Sequence, residues 1–116
     1  MNELKNQILN KIKQNVGCSF VEILKIKGCT GKQQMLFKKS NIILWSGLSI
    51  ECTKVLDILL KEKKIVMRQS QVLIYIIDGC TLNYPVAKSS RIYQKMHWLP
   101  VVFDLRDRKI RDKFIN

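Results

Sequence analysis

The sequence predicts an α+β fold, with helices packed on a small antiparallel β-sheet and a C-terminal extension. Three observations predict it. Apolar residues recur at three- and four-residue spacing in the first sixteen positions, after Ser19 and after Ser49, the period of helices that present one face to a core. The period then changes: beyond Lys61, Lys63 and Lys64, the residues Ile65, Val66, Met67 and the run Val72 to Ile77 flank a polar Arg68-Gln69-Ser70-Gln71, which reads as strand, turn, strand. At 116 residues, 47% hydrophobic and 26% charged, the chain is long enough to bury one core but not two, and too apolar to be disordered.

The first helix, about Asn2 to Asn15, carries Leu4, Ile8, Leu9, Ile12 and Val16 on one stripe, with Lys11 and Lys13 mostly outside it. Ser19-Phe20-Val21-Glu22 forms a capping box, so a second helix begins there, stops at Gly28 and buries Phe20, Ile23 and Leu24. Residues 30–40 are less determined: Gly31-Lys32-Gln33-Gln34 begins a helix or belongs to a polar, basic turn ending at Lys38-Lys39-Ser40-Asn41. Gly28-Cys29-Thr30-Gly31-Lys32 is too short for a nucleotide-binding loop, and no strand precedes it. Ile42 to Trp45 reads either as a short β-branched strand or as a helix and turn, and both readings keep Gly47 as the sharp turn before the next helix.

Ser49 caps that helix, with Cys52, Val55, Leu56, Leu59 and Leu60 inward and Ile50, Lys54, Asp57, Ile58 and Lys61 on the opposite arc. The run from Val72 to Ile77 lacks alternation, so as a strand it needs cover on both faces, and Trp98, Val101, Val102 and Phe103 are available to supply it. Tyr84 to His97 reads as helix from Pro85, and Pro100 separates it from a strand at Val101 to Phe103. The segment Leu105 to Phe114 is a basic, helix-prone tail in which Asp104, Asp107 and Asp112 partner Arg108 and Arg111. The divisions are therefore N-terminal helices over 2–28, a central unit over about 42–78 and a basic C-terminal extension over 82–116, all in one domain.

Several function classes are excluded. The longest apolar runs fall far short of the roughly 20 residues that span a bilayer, and the N-terminus lacks the pattern of a secretory signal, so the expected location is the cytoplasm, away from membranes. Cys18, Cys29, Cys52 and Cys80 contain no close pair, which fits reduced, mostly buried thiols rather than a metal site. His97, the one histidine, has no Ser, Cys or carboxylate arranged around it by motif, so no catalytic residue, cofactor or enzyme activity is expected.

The net charge of +12 calls for a polyanionic partner, and nucleic acid fits best. It is unevenly spread: +6 over residues 1–40, +1 over 41–80 and +5 over 81–116. The cations expected to hold phosphate are Lys11, Lys13, Lys38, Lys39, Lys88, Arg91 and Lys95, with aromatics interleaved at Tyr84, Tyr93 and Trp98 in the manner of single-strand binders. Trp98 itself reads better as a core anchor. On the Ser49 helix, base-edge reading has only Lys54 and Lys61 with an acid beside them, whereas exposed Ile50 and Ile58 fit protein docking, as does Tyr75.

The order of elements from Ile42 to Asp78 resembles a winged-helix domain. In size, basicity and the A+T-rich codon bias implied by fifteen isoleucines, sixteen lysines and one alanine, the chain is similar to the small accessory protein that staphylococcal cassette elements encode beside an A-family DNA polymerase. That resemblance implies a non-enzymatic subunit that binds DNA, single or double strand, and docks on a replication enzyme such as a polymerase or primase. Two alternatives stand beside it. One is a dimeric winged-helix repressor in which Lys54, Lys61, Arg68 and Gln71 read or flank an operator; the other is a protein-docking adaptor or inhibitor of a host enzyme.

Overall fold

A computed structural model describes residues 2–106 as an α+β fold. In chain order the elements are α1 (Asn2–Gln14), α2 (Phe20–Leu24), β1 (Thr30–Phe37), a 3₁₀ turn (Lys38–Ser40), β2 (Ile42–Leu48), α3 (Ile50–Lys61), β3 (Ile65–Gln69), α4 (Val72–Asp78), β4 (His97–Trp98) and β5 (Val101–Leu105). One sheet has the order β1-β2-β4, with β1 and β2 antiparallel and β4 parallel to β2; β3 and β5 form a separate antiparallel pair. No helix among the described residues is long and apolar enough to cross a membrane.

Both serine caps expected from sequence are formed, but the Ser19 capping box is half made, because the Glu22 carboxylate takes Lys25 at 2.7 Å, and α2 ends at Leu24 rather than at Gly28. The Ser49 hydroxyl accepts from the Cys52 N–H at 3.0 Å and donates to the Gly28 carbonyl at 2.6 Å, so it starts α3 and ties it to the turn before β1. Ser19 accepts from the Glu22 N–H at 3.3 Å and donates to Asp78 at 2.7 Å. Cys52, Val55, Leu56 and Leu59 are buried, as the helical period requires, with Ile8 and Ile12 of α1 in the same core. The core centre is aromatic: Trp45 lies 5.9 Å from Phe20, 4.9 Å from Tyr75 and 5.8 Å from Trp98, and Phe20 meets Phe103 edge-on at 5.1 Å. Trp98 and Val101 to Phe103 therefore belong to the core, and β4 and β5 are integral to the fold rather than parts of an extension.

Several expectations are corrected. Residues 72–78 are helix α4, not the second strand of a local ribbon; the strand opposite β3 is β5, more than thirty positions along the chain. An unbroken apolar run has no period with which to choose between helix and strand. Tertiary anchoring chooses here: the Tyr75 hydroxyl accepts from the Phe20 N–H at 3.1 Å and donates to the Val101 carbonyl at 2.6 Å. Gly79, at φ 84°, ends the helix with its N–H on the Ile76 carbonyl and that of Cys80 on the Tyr75 carbonyl, a Schellman pair.

Residues 30–37, expected as helix or turn, are the exposed edge strand β1. Gly31 fits there because a Cβ would meet the Ser49 Cα at 2.6 Å and the Leu48 carbonyl oxygen at 2.7 Å. Of the two readings of Ile42 to Trp45 the strand is the one found; it runs on through Gly47 to Leu48 and pairs with β1 and β4. Tyr84 to His97 is irregular rather than helical, held by mutual backbone bonds of Trp98 with Pro85 and Ala87 at 2.8 and 2.7 Å. At the other end, Val16 leaves the α1 stripe and is 69% exposed.

Candidate nucleic-acid interface

The chain brings two distant cationic segments together beside the end of β2. Asn41, in the left-handed conformation at φ 55°, follows the 3₁₀ turn and donates through its side chain to the carbonyls of Tyr93 at 2.8 Å and Gln94 at 3.3 Å. The Tyr93 N–H donates to the Ser40 carbonyl at 3.0 Å, and the His97 N–H donates to the Asn41 carbonyl at 2.9 Å. These bonds fasten Ser40 and Asn41, at the end of the turn that carries Lys38 and Lys39, to the loop that carries Lys88, Arg91 and Lys95. All five of these cations are exposed.

The loop is shaped around Tyr93. The Tyr93 hydroxyl accepts from the Lys88 N–H at 3.1 Å and donates to the Ser89 carbonyl at 3.2 Å, while the Arg91 guanidinium sits 5.0 Å from the ring centroid. The His97 ring stacks on Tyr93 at 4.0 Å, and its Nδ1 lies 2.8 Å from the Lys95 carbonyl, to which only an N–H can donate. The aromatic rings therefore serve the loop's own shape. Tyr93 and Trp98 are buried and cannot act as stacking platforms, which leaves Tyr84 as the exposed ring of the predicted set.

The other predicted cations fall elsewhere. Lys11 and Lys13 stand near the end of α1, whose packing partners are β5, α2 and α3. Lys61 pairs with Asp57 on α3 at 2.9 Å, and Lys54 borders a hollow shared with Asp57, Met35, Phe37 and Met67. Arg68 is paired with a buried carboxylate: its Nε donates to Asp104 at 2.8 Å. Asp104 is fully buried, and its second oxygen accepts from the Gly17 N–H at 2.8 Å, so this pair joins β3 and β5 to the turn after α1. The carboxylate expected to partner the tail is thus committed to the core; Asp107, Arg108, Arg111 and Asp112 lie outside the described residues. Of the docking candidates, Ile50 is exposed and Ile58 half-buried, but Tyr75 is fully buried and is corrected from interface residue to core anchor.

Motif reading misses a sequence signal for this rim, which lies in the distribution of acids. Residues 23–50 and 79–103 contain no Asp or Glu, yet hold Lys25, Lys27, Lys32, Lys38, Lys39, Lys88, Arg91 and Lys95. Lys32, exposed on β1, therefore joins the candidates, whereas Lys25 is engaged by Glu22 at 2.7 Å. Two of the buried cysteines are held as thiols. Burial, then the nearby Glu22 charge, pushes the Cys18 thiol up to about 12, and a hydrogen bond with Cys29 followed by burial raises Cys52, so both stay protonated at neutral pH. No group of His, Cys, Asp and Glu among the described residues is arranged to hold a metal ion. No family model, curated protein or solved structure matches the chain.

Proposed function

We propose that the protein is a small, non-enzymatic nucleic-acid-binding accessory that grips phosphate through Lys38, Lys39, Lys88, Arg91 and Lys95, largely without reading sequence. The observation that carries this reading is the hydrogen-bonded junction of the 3₁₀ turn with the 88–97 loop, which collects cations from two acid-free stretches on one rim. Cations with no carboxylate in their own segments remain available to neutralise phosphate and release counterions, the main driving force of sequence-tolerant binding. A cytoplasmic replication enzyme of a mobile element, such as a polymerase or primase, is the protein partner in this proposal, and Ile50 and Ile58 on the outer face of α3 are its docking candidates.

The repressor alternative has less support. In a winged-helix reading, α3 would be the recognition helix and the β3–β5 pair the wing. Asp57 already holds Lys61, and Asp104 already holds Arg68, which leaves Lys54 and Gln71 for base edges.

Anisotropy with labelled mixed-sequence duplex and single strands at 50, 100 and 200 mM salt tests the proposal. Binding should fall steeply with salt. Replacing all five rim cations by Ala should reduce the duplex salt slope by about 0.9 for each phosphate that is no longer neutralised. A preference of roughly a thousandfold for one duplex over the mixed pool, the scale of specific binding, would contradict it.

A further inference from the structure

The geometry points to an unpaired nucleic-acid strand, rather than a duplex, as the ligand of the cationic rim, with Phe37 and Tyr84 as the rings on which its bases stack. This deepens the nucleic-acid reading and rests on it. Strand register carries the assignment. Phe37 pairs with Ile42, and Ile42 pairs with His97, so the last residue of β1 and the first residues of β2 and β4 stand in one row at one end of the sheet. Val86 bridges Trp98 in parallel, and the Trp98 N–H donates to the Pro85 carbonyl at 2.8 Å, which sets Tyr84 beyond β4 at that same end. With neighbouring strands about 4.8 Å apart, Phe37 and Tyr84 stand on the order of 15 Å from one another, one at each side of the row. Lys38 and Lys39 follow Phe37 directly, and Lys95 lies two residues before His97, so the row carries cations between its two rings.

Both rings are exposed, at 41 and 40%, and neither has an acid in its own segment, because residues 23–50 and 79–103 hold no Asp or Glu. Ile92, 75% exposed, adds apolar surface beside Arg91, and a hollow of about 440 Å³ opens there, lined by Arg91, Ile92, Tyr93, Gln94, Lys95 and His97. That volume lies within the range of small-ligand pockets and admits an unstacked base. Apolar and aromatic surface set among cations selects the ligand. A duplex turns its phosphates outward and keeps its base faces stacked inside, so it engages the cations and leaves Phe37, Tyr84 and Ile92 idle. An unpaired strand offers phosphate to the lysines and Arg91 and base faces to the rings, the combination from which sequence-tolerant single-strand sites are built.

Anisotropy with labelled oligothymidylate, oligouridylate and a mixed-sequence duplex of equal phosphate count tests this on the full chain at 50 mM salt. At least one single strand should bind about tenfold more tightly than the duplex, a gain within reach of one or two stacked bases, and comparison of the two strands distinguishes a DNA from an RNA ligand. The double variant Phe37→Leu, Tyr84→Leu keeps apolar bulk but removes both rings. It should lose about fivefold to a hundredfold in affinity for the strand and less than about twofold for the duplex. Phe37→Trp retains a ring, so it should bind the strand as the wild type does, and the emission it adds should be quenched by the strand but not by the duplex. Circular dichroism checks that the variants are folded. Equal or tighter binding of the duplex, undiminished strand affinity in the folded double variant, or added emission that no strand quenches overturns this inference alone, provided that the variant lacking the five rim cations still loses binding. Retention of neither strand nor duplex overturns the nucleic-acid reading itself, and this inference with it.

Discussion

The rim formed by residues 38–41 and 88–97 and the face formed by α4 are opposites in composition. The rim is acid-free, irregular in backbone and shaped by polar bonds to main-chain carbonyls; α4 is cation-free, helical and fastened by one buried tyrosine. A net charge of +12 therefore describes no single surface of this molecule. The rim exposes Ile92 among its cations, whereas the exposed Leu73, Ile76 and Ile77 of α4 have no cation in their own segment, so phosphate binding at the rim and apolar contact at α4 would respond oppositely to salt. What the two regions share is the β3–β5 pair: α4 leaves from the end of β3, and the rim loop returns through β4 into β5.

The strongest way to break the comparison is to remove that shared support. Asp104→Ala leaves Arg68 and the Gly17 N–H without their carboxylate, and should cost about 3–5 kcal/mol in a urea titration, disabling both regions together. Tyr75→Phe separates them instead. It strips the Phe20 N–H and the Val101 carbonyl of a buried partner, at about 1–3 kcal/mol, and should loosen α4 in amide exchange while DNA affinity under native conditions holds. Gly31→Ala strains the end of the β1–β2 hairpin away from the rim, since its Cβ would press on the Ser49 backbone; about 1–3 kcal/mol is expected in the same titration, with the rim's DNA affinity unchanged under native conditions. The smallest effect sharpens the assignment of cations: replacing Lys54 and Lys61 by Ala should change mixed-sequence DNA affinity by less than about threefold, because charges outside the binding surface act only through a screened field.

Those parts of the fold whose signals are local are legible in the sequence. Ser49 and Ser19 as caps, the core face of α3 and the burial of Trp98 and Val101 to Phe103 follow from period, cap chemistry or apolar runs, whereas Ile42 to Trp45 fits strand and helix alike until β1 and β4 pair with it. Other parts depend on residues far apart in the chain. Strand β1 is an exposed edge rich in Lys and Gln, so no alternation marks it. The apolar α4 run fits either period until Tyr75 finds Phe20 and Val101. Arg68 reads as a surface cation because its partner Asp104 lies 36 positions away. For the rim, Lys38, Lys39, Lys88, Arg91 and Lys95 are exposed as their sequence implies, but only the bonds from Asn41 to Tyr93 and Gln94 reveal that the first two adjoin the later loop.

Amide chemical-shift mapping during titration of the isotopically labelled protein with a short mixed-sequence DNA tests the separation of the two regions most directly. Shifts concentrated at residues 38–41 and 88–97, with Leu73, Ile76 and Ile77 unmoved, are the predicted result. Shifts centred on α3 or α4, or none at low salt, would contradict the account.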